Sequence, residues 1–302
     1  MSEKETVISL RHLCKYYGKH MGIEDVTLDV SQGDIFGFIG PNGAGKSTAI
    51  RTTMGLIHKT SGSATVFGLD CQTQGQILRQ RVGYMPSEIF YYDHMKVRDL
   101  LSYSASFYQN SKKGRISELC ELLDLDPSRK IEDLSFGNRK KVGIIQCLVH
   151  EPDLIILDEP TSGLDPLIQQ RFFQLLKDEN KKGTTILLSS HILPEVQKLC
   201  NRVGIIKNGT MVSIDNMSSI LSTSYKKVSF EYKDTPQAPP DLLDGIGNLE
   251  INSKEVKFLY RGNISELLAY ASTQALANIW IEDPSLEEIF LHFYDNQTNI
   301  DH

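Results

Sequence analysis

The sequence has no apolar run near the ~18–20 residues that a bilayer-crossing helix needs, so any membrane role has to come through a partner. It has no C-x-x-C pair either. Its five cysteines, Cys14, Cys71, Cys120, Cys147 and Cys200, are odd in number and far apart. That argues against metal ligands or bridges and for reduced thiols of a cytosolic protein. The opening MSEKETVISL is charged and lacks the apolar segment of a secretory signal. A large basic excess is also missing. Net charge is −6, and the acid is concentrated late: Leu221 to His302 hold 6 Lys/Arg against 13 Asp/Glu, leaving 26 against 25 before them. Nothing in that balance points to nucleic acid as a partner. Long repeats and low-complexity segments are absent as well.

What is present is a chain of 302 residues with 40% hydrophobic content, enough for one large domain and a smaller one. Val26, Leu28 and Val30 alternate with polar residues, as in a half-buried strand. IFGFIG reads as a short buried strand that runs into a glycine loop and then a helix. From Val97 to Leu125 the leucines Leu100, Leu101, Leu119, Leu122 and Leu123 keep helical spacing. DLIILDEP and GTTILLSSH are continuous apolar runs of the buried-parallel type, with the helical QQRFFQLLKDENKK between them. Strand, helix, strand in that order predicts a βαβ unit and a parallel sheet. VGIIKNGTMVSI predicts a hairpin turning at Asn208-Gly209.

Composition shifts near residue 220. Beyond it, KKVSFEYK, NLEIN, EVKFLYRG and ANIWIED read as strands, with PPDLLDGI and ISELLAYASTQ as helices. That order is βαββαβ, the split ferredoxin-like α+β arrangement. A last amphipathic segment, SLEEIFLHFY, places Leu286, Ile289, Phe290 and Phe293 on one face.

Three motifs carry chemistry. GPNGAGKS, the residues Gly40, Pro41, Asn42, Gly43, Ala44, Gly45, Lys46 and Ser47, fits G-x-x-x-x-G-K-[ST] at every fixed position. Its glycines let backbone N–H groups point at phosphate oxygens, and the next helix presents its positive end. Lys46 reaches the β- and γ-phosphates, and the Ser47 hydroxyl is a ligand for Mg²⁺. A dinucleotide G-x-G-x-x-G fails, because position 48 is Thr. LIILDEP ends a buried strand in two carboxylates. Asp158 suits Mg²⁺ through its water shell, and Glu159 suits orienting or deprotonating a water. His191 closes the next strand, where an imidazole reaches a γ-phosphate and that water.

Taken together, these residues resemble the ATP-binding subunit of an ABC transporter, over about Ile8 to Ile214. The resemblance implies a P-loop cassette over residues 1–220: a parallel-sheet core, an N-terminal antiparallel β subdomain, and a helical subdomain at about 87–148. Residues 221–302 form an accessory domain. ATP and Mg²⁺ follow as cofactors, with ATP hydrolysis as the activity. In that family Tyr17 stacks on adenine in preference to Tyr16, and Thr48 meets the α-phosphate. Asp165 links two subunits beside Glu159, and Ser135 and Gly137 contact the nucleotide of the opposite subunit. The implied partners are membrane-spanning permease subunits and a second copy, or a homologous ATPase, with the protein peripheral on the inner membrane face. The C-terminal extension is similar to those of ATPases serving export permeases for drug, antibiotic-immunity and polysaccharide efflux.

Departures from the family pattern qualify the match. Leu134-Ser135-Phe136-Gly137-Asn138 stands where LSGGQ is usual, 23 residues before Asp158 counted from Ser135. Ser87 occupies the place of a Gln that ligates Mg²⁺ and is too short for it; Glu88 serves only if the loop shifts by one residue. Phe90, Tyr91, Tyr92 and Met95 make an apolar cluster in a loop, read as a groove for the permease. Two other classes stay open: a soluble ABC-type ATPase acting on ribosomes or DNA, and a regulatory nucleotide-binding module with weak turnover.

Overall fold

Apolar runs become the central strands of this computed structural model, which describes residues 5–109, 112, 114–222, 225–234, 244–284 and 288. The chain divides into two compact units, Met1–Met217 and Ser218–His302.

The first unit opens with two long strands, β1 (Thr6–Tyr17) and β2 (His20–Ser31). Alternation does its work there: Val26, Leu28 and Val30 are buried while their neighbours are not. The fully buried β3 (Ile35–Ile39) and helix α1 (Lys46–Thr53) follow. Then β4 (Ser61–Val66) and β5 (Leu69–Asp70) complete a four-stranded antiparallel sheet of order β2-β1-β4-β5.

After α2 (Gly75–Arg79) the chain builds a second sheet from β6 (Val82–Met85), β7 (Leu154–Asp158), β8 (Thr185–Ser190), β9 (Arg202–Lys207) and β10 (Thr210–Asn216), with β3 in its interior. Its order is β10-β9-β3-β8-β7-β6, parallel throughout except for the β9–β10 hairpin. Asn208 and Gly209 turn that hairpin at φ 46° and 80°, the left-handed pair a tight two-residue turn requires. Ala49, Ile50 and Met54 of α1 join both sheets in one core with Ile8, Val30, Phe36 and Phe38.

Between β6 and β7 lie α3 (Val97–Ala105), α4 (Arg115–Leu122) and α5 (Phe136–Leu148). The continuous helical pattern read over 97–125 is therefore two helices, not one. Leu101 and Leu119 are 18 residues apart, about five turns of 3.6 residues, so their phase hides the break. Gly114, at φ 91°, precedes α4. Helix α6 (Pro166–Lys181) crosses from β7 to β8, and α7 (Leu193–Leu199) from β8 to β9. A short α8 (Met217–Ser222) follows, its residues from Ser218 on belonging to the second unit.

The second unit is a four-stranded antiparallel sheet of β11 (Tyr225–Tyr232), β12 (Ile246–Asn252), β13 (Glu255–Arg261) and β14 (Leu276–Glu282), with α9 (Ile264–Ser272) between the last two. Its order, β12-β13-β11-β14, sets β13 between two strands that run the same way, as a split βαβ does. Leu267 and Ala271 of α9 pack on Val228, Phe230, Val256 and Phe258. Of the segments expected to be helical, PPDLLDGI falls mostly, and SLEEIFLHFY almost wholly, outside the described residues. No helix among the described residues is long and apolar enough to cross a membrane.

Candidate active site

The carboxyl ends of β3, β8 and β7 lie side by side, because β8 pairs with β3 on one edge and β7 on the other. In open α/β sheets ligands bind at such ends. Each of these strands releases one motif there.

The loop after β3 is set by its glycines. Gly45 has φ 104°, and a Cβ on it would stand 2.7 Å from the Gly22 carbonyl oxygen. Only glycine permits both the turn and the approach to β2. Lys46 then opens α1. Its buried ammonium donates to the carbonyls of Gly40 (2.6 Å) and Pro41 (3.1 Å). It also lies 3.2 Å from Glu159 Oε1. A cleft of about 440 Å³ runs from Tyr17, Met21 and Gly22 past Asn42 to Thr48, and on to Ser87 and Glu159. That is the size of a small-molecule site. Tyr17 is 46% exposed at one end of the cleft. Its neighbour Tyr16 does not line it: the Tyr16 hydroxyl donates to Glu24 Oε1 at 2.5 Å, and that bond pushes its pKa up.

Asp158 ends β7 with no exposed surface. Its Oδ1 accepts from Ser189 Oγ at 2.6 Å, while its buried Oδ2 has no hydrogen-bond partner among the described residues. A buried carboxylate oxygen left unpaired costs ~1–3 kcal/mol or more. Such an oxygen is the hard-oxygen chemistry that suits Mg²⁺. Glu159 follows at φ 51°, a left-handed conformation uncommon for a residue with a side chain. Its N–H donates to the Ser189 carbonyl (3.3 Å) and to Ser189 Oγ (3.1 Å). Its carboxylate spans Lys46 on one side and His191 on the other, with Oε2 2.6 Å from His191 Nδ1.

Ser135, Gly137 and Asp165 do not line this cleft within the single chain. Ser135 is the N-cap of α5, accepting from the Asn138 N–H at 3.4 Å. A Cβ on Gly137 would stand 2.5 Å from the Gly163 carbonyl oxygen, so its small size serves an approach inside the chain. Phe136 is 62% exposed, with its ring against Gly163. Asp165 caps α6 by accepting from the Ile168 N–H at 3.0 Å, ahead of Pro166 in the first turn.

The reading of Glu88 as a metal ligand depends on a one-residue shift of its loop. Ser87, not Glu88, lines the cleft, and Glu88 lines a separate groove with Phe90 and Tyr92. Lys140 Nζ donates to the Ser87 carbonyl at 2.7 Å, a contact that any shift of this loop has to break. Sequence reasoning missed both Ser189 and Lys140. Ser189 had a signal, a polar residue inside a buried strand beside an acidic strand end. Lys140 had none, since it reads as one of three consecutive cations on a helix.

A family model described as ABC transporter matches residues 23–162. The bacitracin transport ATP-binding protein of Bacillus licheniformis is 31% identical over 296 residues, covering 95% of this chain and 96% of that one. The linearmycin resistance ATP-binding protein of Bacillus subtilis is 29% identical over 303 residues, covering 95% and 97%. A solved structure of the ATP-binding subunit of an ABC transporter superposes with a TM-score of 0.66 at 29% identity, over 71% of this chain and 92% of that one.

Proposed function

The chain belongs to the ABC transporter family as an ATP-binding, ATP-hydrolysing subunit, and on that premise we propose that it powers export of a small molecule through a separate membrane-spanning permease. Subunits of this family bind nucleotide and act in pairs beside transmembrane partners. The observation that carries the reading of the site is the Glu159 carboxylate held between Lys46 and His191 at the end of the cleft.

Phosphoryl transfer to water needs a positioned nucleophile and neutralised charge more than covalent help from the protein. In this reading Lys46 and the backbone N–H groups of the loop receive the β- and γ-phosphates. Tyr17 stacks on the base and Thr48 meets the α-phosphate. Glu159 orients the attacking water and takes its proton, and His191 holds the Glu159 carboxylate toward it. Asp158 and Ser47 are the residues that would hold Mg²⁺, whose charge draws electron density from the phosphates. The second copy brings Ser135 and Gly137 over the γ-phosphate, with Asp165 beside the shared interface. Support for that last point is the start of α5, where Ser135 and Phe136 are exposed and a helix N-terminus suits phosphate.

Export as the direction rests on the relatives named for bacitracin transport and linearmycin resistance, whose similarity runs through the C-terminal unit as well as the cassette. The groove of about 430 Å³ lined by Phe90, Tyr92, Tyr103 and Phe107 is the proposed seat of the permease. Those rings are between 49% and 87% exposed. The test is purification of the full chain from its native membranes with Mg-ATP present. Co-purification of a polytopic membrane protein that stimulates its ATP hydrolysis is expected. Full turnover without any such protein would overturn the transporter reading.

A further inference from the structure

Lys140 lies in the second turn of α5 with its side chain 2% exposed. A buried ammonium is costly unless something holds it. Here two main-chain carbonyls do: Ser87 accepts from Nζ at 2.7 Å and Glu159 at 3.3 Å. The Phe136 ring, one turn earlier on the same helix, lies 5.8 Å from Nζ, within cation–π reach. Burial pulls the Lys140 pKa down, and the charges of Asp158 and Glu159 act against it. One ammonium therefore ties together α5, the loop after β6 and the turn after β7.

The turn after β7 is where that tie matters. Glu159 sits at φ 51°, a conformation that costs roughly 1–2 kcal/mol for a residue with a Cβ and persists only when its surroundings hold it. Ser189 holds the residue on its N–H side, and Lys140 holds it on its carbonyl side. With both sides fixed, the Cα–Cβ bond aims the carboxylate at Lys46 and His191. Without the Lys140 contact, the left-handed turn is held from the N–H side alone, and relaxation of its φ toward the ordinary region swings the Cα–Cβ bond away.

We propose that Lys140 is a positioning residue for ATP hydrolysis: it holds the backbone of Glu159 in its left-handed turn and fixes the Ser87 loop to α5, so that the Glu159 carboxylate faces Lys46 and His191. This rests on Glu159 acting on the attacking water. It also gives the substituted signature motif a local purpose, since Phe136 covers the ammonium.

The test is steady-state ATP hydrolysis by the full-length chain as a function of ATP, with thermal unfolding in parallel. Lys140→Met keeps the volume and removes the donors. Its kcat is expected to fall about 10²-fold, the effect of a ~1 Å misplacement of a catalytic group, with KM unchanged within about twofold. Lys140→Arg, which restores donors and charge, is expected to recover most of the rate. A Lys140→Met kcat equal to wild type, while Glu159→Gln is inactive, overturns the proposal. So does a rise in KM and a fall in unfolding temperature shared by Lys140→Met and Lys140→Arg, which would mark a packing role. If Lys140→Met does not fold, Lys140→Gln is read on the same scale. An active Glu159→Gln would be a separate failure, of the reading of Glu159 itself.

Discussion

Glu159 Oε2 and His191 Nδ1 are 2.6 Å apart, although the residues stand at the ends of two different strands. The contact follows from the parallel β7–β8 pairing, which sets Asp158 opposite Ser189 and so brings the next residues of each loop together. His191 is thereby an orienting group for the carboxylate. Truncating it, His191→Ala, should leave the Kd for a fluorescent ATP analogue within about twofold and lower kcat about 10²-fold, the lower range of what a positioned acid–base partner contributes. Single-turnover phosphate release measures it. An unchanged kcat would mean the contact is structural only.

The aromatic rings beside α3 separate into a half-buried one and exposed ones, and that separation is testable. The Tyr91 hydroxyl donates to the Arg139 carbonyl at 3.0 Å, and burial pushes its pKa up. Phe90 and Tyr92 are 87% and 66% exposed. Tyr91 lines the groove with Phe90 and Tyr92, as the sequence reading expects, and its hydroxyl also ties the loop to α5. Phe90→Glu with Tyr92→Glu should abolish co-purification with the permease and leave basal ATPase activity within about twofold, as expected for surface changes. Tyr91→Asp should lower the unfolding temperature, because it buries a charge without a partner.

Acid should weaken the first unit through His150. This residue is 3% exposed and stacked on Tyr108, and burial pulls its pKa down to about 4 from 6.5. Between those values the unfolded chain binds the proton and the folded chain does not. Stability therefore falls as pH drops from about 6.5 toward 4, by at most about 3 kcal/mol from this group. His150→Phe keeps the stacking and removes the titration. Its urea midpoint should change less than that of wild type between pH 7 and pH 5. Parallel slopes for the two proteins would contradict the assignment.

Much of the site was legible because its motifs are contiguous. Gly40 to Ser47 carry their own loop chemistry, and Asp158, Glu159 and His191 stand at the ends of apolar runs that could only be buried strands. The hairpin at Asn208-Gly209 was legible for the same local reason. What stayed hidden depends on contacts across the fold. Ser189 acts on Asp158 only through strand pairing, and Lys140 reaches Ser87 and Glu159 from another helix. The break between α3 and α4 was masked by a spacing that kept helical phase. That Ser87 lines the cleft and is tied to Lys140 is a contact across the fold, which no local pattern reports.

The central claim is that Glu159 performs the hydrolytic step while the Lys46 loop binds the nucleotide. Glu159→Gln keeps the shape and removes the charge, so it should bind ATP and fail to hydrolyse it. Light scattering after size exclusion, with Mg-ATP present, tests this most directly. The account predicts a stable dimer carrying unhydrolysed ATP for Glu159→Gln, and a fall in ATPase rate of about 10²-fold or more. A monomeric Glu159→Gln that hydrolyses ATP at the wild-type rate would contradict it.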